Sequence, residues 1–301
     1  MKTILKNQIS ILIPNYNYPC CELVKRLLGQ AEGILAENES FLFEIIVAED
    51  GSADFVTEND GIRQWTNCRH LVCTENRGRA CIRNFLARQA AYDWLLFIDS
   101  DMTADHDDFL LNYVSSDGGP VVDGGVRING DGKRLRSNLR FIYEKASERK
   151  HTYEMRRKAP FLSFHTANFM VRRDIMLSHP FDERFRKYGY EDVLFGKRLK
   201  QDGVAIGHID NTLSFEVFET NGDFMDKTEE GLHTLYEFRH ELEGYSTLLD
   251  IQKKTDRLGL SWAIRSLHRL WGKSVRRNLT GDSPDIRLFN IYKLGFYLSI
   301  N

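Results

Sequence analysis

The sequence predicts an α/β fold, with a Rossmann-like, mostly parallel sheet flanked by helices and followed by a helical C-terminal extension. Three observations predict it. Strand and helix patterns alternate through residues 1–128, polar side chains follow each strand pattern, and helical patterns run from about residue 223 to the end. Because strands that alternate with helices build parallel sheets, we expect a doubly wound sheet.

The first part of the chain contains four predicted strands and two predicted helices. The strands are short runs of apolar and β-branched residues: 9–13, 43–48, 70–73 and 94–98. Helical spacing occurs at 22–37 and 78–91. The apolar face of the second helix consists of Cys81, Ile82, Phe85, Leu86 and Ala90.

Composition limits the partners that the chain can have. It has 301 residues, of which 42% are hydrophobic and 28% are charged, so it can bury a full core. One large domain, or one domain with an appendage, is expected. The net charge of −2 does not favour nucleic acid as a partner.

Cysteine usage favours a reducing compartment. The five cysteines are an odd number with no Cys-x-x-Cys pair, which is typical of a cytoplasmic protein without zinc or disulfides. Residues 1–7 lack the apolar run and cleavage site of a signal peptide. No stretch approaches the roughly 18 apolar residues of a membrane span. We expect a cytoplasmic protein, with peripheral contact to the inner membrane face as an open alternative.

Asp99 and Asp101 directly follow the predicted strand 94–98. Ligands of open α/β sheets bind at this carboxyl edge. Two close carboxylates repel each other unless a cation lies between them, and hard oxygen ligands suit Mg²⁺ or Mn²⁺. The spacing therefore predicts a metal site suited to holding a diphosphate.

Polar groups after the other strands are expected to converge on the same crevice. Tyr16 can stack on a nucleobase, and Asp50 can accept a hydrogen bond from a base N–H. Arg83 can neutralise Asp50 or reach a phosphate. Asp50-Gly51-Ser52 alone is a common turn, but ordered motifs after four successive strands are less easily accidental.

Glu191 and Asp192 begin a predicted helix downstream. Acids in a first helical turn often only stabilise the helix dipole. The functional alternative is a carboxylate base aimed at the crevice. Since adjacent residues project on different sides of a helix, only one of the two is expected to be that base.

Two basic segments each leave two interpretations open. Residues 129–160 are either a solvated helical insertion or a flap that meets negative charge. Residues 257–281 contain no acid and interleave arginines with tryptophan and leucine. This segment is either a helix packed on protein, which we favour, or one that lies on an anionic membrane surface. The apolar residues 289–298 are expected to dock on protein.

These ordered motifs resemble those of family 2 glycosyltransferases with the GT-A fold, of the bacterial surface-polysaccharide kind. The resemblance covers about residues 8–235. It implies a GT-A domain at 1–235, with a nucleotide-sugar half at about 1–128, an acceptor half at about 129–235, and a helical extension at 236–301. The matching segments follow the family's order: 10–17, 44–52, Asn76 with Gly78, Arg83-Asn84, 99–101, 181–183 and 191–192.

The resemblance also implies roles on the donor side. Tyr16 and Asp50 would contact the nucleobase, in a pocket that Pro14 and Asn15 shape. Arg83 would support the nucleotide side of this pocket.

Further implied roles concern the metal and the acceptor. Asp99 would approach the ribose and the metal, and Asp101 would be the main protein ligand of Mn²⁺ or Mg²⁺. Asp192 would be the general base, with Glu191 beside it on the acceptor side.

The chain departs from the family pattern at two positions. Glu49 replaces a frequent Asp, and Phe215 stands near a position where many relatives have a His that helps to hold the metal or the diphosphate. The second departure leaves the third metal ligand open. Water or one of four side chains can take this place: His208, His233, Glu216 or Glu219.

The function implied is an inverting, metal-dependent transfer of a sugar from a nucleotide-diphospho-sugar, with UDP expected, to a hydroxyl of a glycan or a lipid-linked acceptor. A nucleotidyltransferase is disfavoured because residues 15–19 are not a Gly-rich phosphate loop. A catalytically inactive nucleotide-sugar-binding or scaffold protein is the other alternative. The missing His motivates it, and four aspartates argue against it: Asp50, Asp99, Asp101 and Asp192.

Overall fold

A computed structural model describes residues 3–300. Ten strands follow one another along the chain: β1 (Gln8–Asn15), β2 (Leu42–Asp50), β3 (Cys68–Cys73), β4 (Trp94–Ile98), β5 (Met102–Thr103), β6 (Val121–Asp123), β7 (Val126–Ile128), β8 (Asn168–Arg172), β9 (Ile206–His208) and β10 (Leu213–Phe215). The first five α-helices are α1 (Cys21–Glu37), α2 (Val56–Asn59), α3 (Arg79–Gln89), α4 (Phe109–Val114) and α5 (Leu139–Ser147). The remaining α-helices are α6 (Tyr153–Lys158), α7 (Arg173–Ser178), α8 (Glu191–Gln201), α9 (Asn221–Glu237), α10 (Thr247–Arg257), α11 (Ser261–Leu279) and α12 (Ile286–Ser299). Short 3₁₀ turns lie at Asp60–Gln64 and Glu148–Lys150.

The main sheet has seven strands in the order β3-β2-β1-β4-β8-β6-β9. Strand β8 runs antiparallel to both of its neighbours, and the other pairs are parallel. A smaller sheet has the order β5-β10-β7. The predicted mostly parallel sheet with a helical C-terminal region is confirmed.

The central strands are apolar because both faces of the main sheet are covered. Helices α1 and α4 pack on one face, and α3, α7 and α8 on the other. The register of strand pairing then determines where the polar residues at the ends of the strands lie. In β1 and β2, Asn15 is paired with Glu49, so the residues that end these two parallel strands lie side by side at the carboxyl edge.

The C-terminal helices share cores with the rest of the chain. Phe289 and Tyr292 of α12 are buried with Leu139 of α5 and Phe224 of α9, and Tyr297 packs into the core beneath α3 and α8. The docking expected for residues 289–298 is confirmed. A domain boundary after residue 235 stays a prediction.

The basic segment 129–160 is irregular up to residue 138 and then contains α5, a 3₁₀ turn and α6, and most of its basic side chains are exposed. Two of them are not part of a solvated face. Arg140 lines a cavity described below, and Arg156 is buried beside Asp123. All five cysteines are free thiols. Between residues 3 and 300, no helix is both long enough and apolar enough to cross a membrane.

Arg156 connects β6 with the residue that follows β9 at the edge of the main sheet. Its guanidinium is 1% exposed and donates hydrogen bonds to the Asp123 carboxylate at 3.0 Å and to the Ile209 carbonyl at 2.9 Å. We expect Arg156→Met to lower the free energy of unfolding by about 3–5 kcal/mol, because it leaves the fully buried Asp123 without its counter-charge. Urea denaturation measures this loss.

The control is Arg157→Met, a change of the same chemistry at the exposed neighbouring position. It should alter the unfolding free energy by no more than about 0.5 kcal/mol. Equal effects of the two substitutions would contradict the role given to Arg156.

Candidate active site

A cavity of about 660 Å³ opens at the carboxyl edge of the main sheet. It is lined by residues at or just after the carboxyl ends of β1, β2, β3 and β4, by residues of α3, α5 and α9, and by the segments 186–188 and 217–219. The sequence-predicted residues that line it are Pro14, Asn15, Tyr16, Asp50, Arg83, Asp99 and Asp101. The predicted convergence of the strand-end motifs is therefore observed.

The end of β1 forms one wall of this cavity. Asn15 is buried, and its side-chain amide donates to the Tyr18 carbonyl at 2.8 Å and to Glu49 at 2.9 Å. Tyr16 is 54% exposed, so its ring is open to a planar partner. This wall therefore combines the buried, hydrogen-bonded side chain of Asn15 with the accessible ring of Tyr16.

Glu49 is a structural carboxylate beneath the cavity. It is fully buried and accepts hydrogen bonds from Asn15, Ser52 and Asn59, and it contacts the His70 ring at 3.0 Å. Burial alone would raise the pKa of Glu49, but these hydrogen bonds lower it overall. The Glu at this position therefore organises the loops behind the cavity and does not line it.

Asp50 positions the loop after β3. Its two oxygens accept the backbone N–H groups of Arg77 and Gly78, each at 2.9 Å. The suggestion that Arg83 neutralises Asp50 is wrong, because Arg83 binds other carboxylates. Gly78 has φ +90°, and a Cβ there would lie 2.7 Å from the Arg186 carbonyl, so only glycine fits this loop. Burial raises the pKa of Asp50, and the two N–H groups oppose that rise.

Arg83 is a buried cation that joins the two halves of the chain. It projects from α3, is 1% exposed, and binds Asp99 at 2.7 Å and Glu191 at 3.2 Å. Asp99 ends the β4 segment, whereas Glu191 begins α8. Because both partners are carboxylates, the cation offsets the repulsion between them. Glu191 is thereby held as the partner of Arg83, and the catalytic role expected for it stays a prediction.

Asp99 and Asp101 fit a metal that arrives with a phosphate ligand. Burial raises the pKa of Asp101, and the neighbouring Asp99 charge adds to this rise, so a cation here would be favourable. Within residues 3–300, no group of three or more His, Cys, Asp or Glu side chains could hold a metal. A hard divalent ion usually keeps water and takes only one or two protein carboxylates beside substrate phosphates. This two-carboxylate set matches that pattern.

An ion pair lies beside Phe215, near which the sequence resemblance places a histidine. Phe215 is buried in β10, and the Arg140 guanidinium lies 4.3 Å from its ring centroid. Arg140 also forms an ion pair with Glu219, and both residues line the cavity. Of the proposed substitute ligands, only Glu219 is therefore close to the cavity.

Both proposed histidine substitutes lie elsewhere. His208 is buried against the Pro160 carbonyl and Arg156, and His233 packs edge-on against Phe296. Glu216 accepts from Asn129 at 2.5 Å on the surface. None of these three side chains lines the cavity.

Asp192 occupies the first turn of α8, next to Glu191. Its carboxylate accepts the Val193 N–H at 2.7 Å and forms no ion pair with any other described residue. Burial, and secondarily the Glu191 charge, raises the pKa of Asp192 to about 6. Neither Asp192 nor Glu191 belongs to the lining of the 660 Å³ cavity. A pKa in this range suits a proton acceptor near neutral pH.

Sequence reasoning gave no individual role to several cationic and aromatic groups of the cavity. Arg79 lies 4.8 Å from the centroid of the Tyr188 ring, and both line the cavity. The other such cations are Arg140, Arg186, Lys187 and Lys227. Arg79 directly follows Gly78, and residues 186–188 lie shortly before α8, so closeness to predicted motifs was the available signal.

Comparisons with known proteins agree with this architecture. The family model described as "Glycosyl transferase family 2" matches residues 10–178. The sequence matches none of the curated proteins with which it was compared. Over half of the chain is covered by the family model, and the chain belongs to glycosyl transferase family 2.

Solved structures show the same fold at low sequence identity. A mannosyltransferase from Pyrobaculum calidifontis, solved with GDP-Man and Mn²⁺, is 14% identical, with 96% of this chain and 84% of that chain covered and a TM-score of 0.53. S. aureus TarS 1–349, solved with UDP, is 17% identical, with 97% and 89% covered and a TM-score of 0.50. The predicted GT-A fold is confirmed.

Arg83 and Glu191 should be strongly coupled. We expect Arg83→Met to lower the free energy of unfolding by about 3–5 kcal/mol, since Glu191 is 4% exposed and would lose its counter-charge. The double variant Arg83→Met, Glu191→Met should recover a large part of that loss. Urea denaturation of the wild type, the two single variants and the double variant gives the four unfolding free energies of a double-mutant cycle. Strictly additive losses would contradict this ion pair.

Proposed function

We propose that the chain is an inverting, metal-dependent glycosyltransferase. It transfers a sugar from a nucleotide-diphospho-sugar, with UDP as the nucleotide, to a hydroxyl of a glycan or a lipid-linked acceptor. One observation carries this proposal. Arg83 binds Asp99 and Glu191, which leaves Asp101 and Asp192 without an ion-pair partner among the described residues. Asp101 is suited to bind a metal ion, and Asp192 is suited to accept a proton.

The donor pocket is supported by the groups at the end of β1 and β2. Tyr16 offers an exposed ring for stacking on the base, and Pro14 and the buried Asn15 line the same cavity. Asp50 holds the loop of Arg77 and is proposed to contact the base as well. The solved relatives include one with UDP and one with GDP-Man, and the choice of UDP for this chain rests on the sequence resemblance.

Mn²⁺ or Mg²⁺ is proposed to bind Asp101, with Asp99 as the second carboxylate. A divalent ion there would stabilise the negative charge that the leaving diphosphate gains. Arg79 and Arg140 line the same cavity and provide further positive charge for the diphosphate. Arg140 is held by Phe215 and Glu219, so it is fixed before the donor binds.

Asp192 is proposed to remove the proton of the acceptor hydroxyl as that oxygen attacks the anomeric carbon. The C–O bond to the diphosphate breaks as the new glycosidic bond forms, and the proton passes to Asp192. Because one base acts and no protein nucleophile intervenes, the configuration inverts and an α-linked donor gives a β-glycoside. Asp192 lies outside the lining of the donor cavity, which fits a role on the acceptor side.

A thermal-shift panel tests the donor proposal. UDP, GDP, CDP and dTDP are each added with and without Mn²⁺ to the wild type and to Asp101→Ala. We expect one nucleotide, UDP, to raise the melting temperature only when Mn²⁺ and Asp101 are both present. If no nucleotide has any effect, the donor proposal fails and the inactive scaffold alternative gains support.

The Asp192→Asn variant separates chemistry from binding. The amide cannot accept the proton, so we expect the transfer rate to fall by about 10²–10⁴-fold while the nucleotide affinity stays within about twofold. A radiolabelled-sugar transfer assay and calorimetry with nucleotide measure the two quantities.

Asp202→Asn, at the exposed end of the same helix, is the matched control and should retain the wild-type transfer rate. An Asp192→Asn variant that folds but loses nucleotide binding and transfer together would contradict the base assignment.

The pKa of Asp192 predicts opposite effects of pH on activity and stability. Since this pKa is about 6, kcat/KM should fall as the pH drops below about 6, where the base becomes protonated. The folded-state pKa exceeds the ordinary value of about 3.9, so the wild type should lose stability relative to Asp192→Asn as the pH rises from about 4 to 6. Kinetics and urea denaturation across pH measure both. A stability difference that does not change with pH would contradict the raised pKa.

A further inference from the structure

Helix α11 and the turn before it expose an unusual concentration of large apolar side chains. We name this surface, together with the basic residues between them, the α11 outer face. Trp262, Leu270 and Leu258 are 72%, 73% and 71% exposed. Its apolar members are Leu258, Leu260, Trp262, Leu267, Leu270 and Trp271. Isolated exposed apolar residues are common, but a cluster of this kind usually marks an interaction surface.

The opposite side of α11 is fixed by packing, so the α11 outer face cannot turn inward. Gly272 and Leu279 are buried, and His268 packs against Gly272 and against Gly295 of α12. Arg276 binds Glu229 of α9 at 2.8 Å. The helix is therefore docked by one side, and the other side remains open.

The α11 outer face is positively charged as well as apolar. Residues 257–281 contain no Asp or Glu. Arg269, Lys273 and Arg277 are exposed, and none forms an ion pair with another described residue. At 3.6 residues per turn, these three cations lie with Trp262 and Leu270 within about 100° of the helix circumference, and Leu267 and Trp271 lie on the adjoining flank, about 140° and 180° from Trp262.

We propose that the α11 outer face binds the surface of an anionic lipid bilayer. Tryptophan and leucine would enter the boundary between headgroups and acyl chains, while the basic side chains contact the anionic headgroups. This proposal goes beyond the glycosyltransferase activity and does not depend on it. It develops the alternative in which residues 257–281 lie on an anionic membrane surface. The other alternative, a helix packed on protein, describes the inner side of the same helix.

The positive charge of the α11 outer face favours an anionic membrane over a second copy of the chain as its partner. A two-fold contact through the α11 outer face would bring the same uncompensated cations from both copies together. An anionic bilayer instead supplies the missing negative charge. The helix that anchors α11 also contributes Lys227 and Glu230 to the cavity lining, so membrane binding would hold the cavity near the lipid surface.

Vesicle flotation tests this proposal with the full chain. Vesicles of phosphatidylcholine alone are compared with vesicles that contain about one third phosphatidylglycerol. We expect the wild type to float with the anionic vesicles only, and high salt to weaken binding because the attraction is screened. An apolar variant, Trp262→Ser with Trp271→Ser, and a basic variant, Arg269→Gln with Lys273→Gln and Arg277→Gln, should each bind at least about tenfold more weakly.

The matched control removes three exposed cations from another basic surface: Lys133→Gln, Arg134→Gln and Arg136→Gln. It has the same net charge as the basic variant and should retain wild-type binding. Circular dichroism verifies that all variants are folded. Equal losses in the control and the basic variant would overturn the proposal, as would equal binding to both vesicle types or no binding. A wild-type dimer that becomes a 35.0 kDa monomer in the apolar variant, without lipid binding, would also overturn it.

Discussion

The site depends on one buried cation. Arg83 is almost fully removed from solvent, and a guanidinium there is tolerated only because two carboxylates neutralise it. Its partners come from distant parts of the chain, Asp99 from the end of β4 and Glu191 from the start of α8. The ion pairs therefore set the distance between the end of β4 and the start of α8. They also distinguish Asp99 and Glu191, which Arg83 binds, from Asp101 and Asp192, which form no ion pair with another described residue.

A second consequence concerns charge around the cavity. The sequence resemblance places a metal-binding histidine near Phe215, and the Arg140 guanidinium lies over the Phe215 ring. Glu219 forms an ion pair with Arg140. In the proposed function, this fixed positive charge would stabilise the diphosphate, and the metal would need fewer protein ligands. The proposed division of labour, with two carboxylates for the metal and fixed arginines for the phosphates, rests on this arrangement.

Much of the structure of residues 1–128 was predictable from sequence because its signals are local. The strands β1, β2 and β4 are runs of apolar residues, and Asp99 and Asp101 follow β4 at a spacing that already indicates a cation site. The connections between halves were not predictable. Arg83 and Glu191 are 108 residues apart, and no local pattern shows that they form an ion pair. Arg140 lines the cavity, whereas Arg136 in the same basic segment is exposed. This difference comes from the packing of α5 and is not visible in the sequence.

Manganese titration, followed by the electron paramagnetic resonance of free Mn²⁺, tests the central claim most directly. The wild type is titrated alone and with saturating UDP, and Asp101→Ala is titrated in parallel. Because two protein carboxylates make an incomplete site, Mn²⁺ should bind at least about 100-fold more tightly when the diphosphate is present, and Asp101→Ala should abolish this gain. Tight Mn²⁺ binding without nucleotide, or UDP binding that is indifferent to both Mn²⁺ and Asp101, would contradict the account.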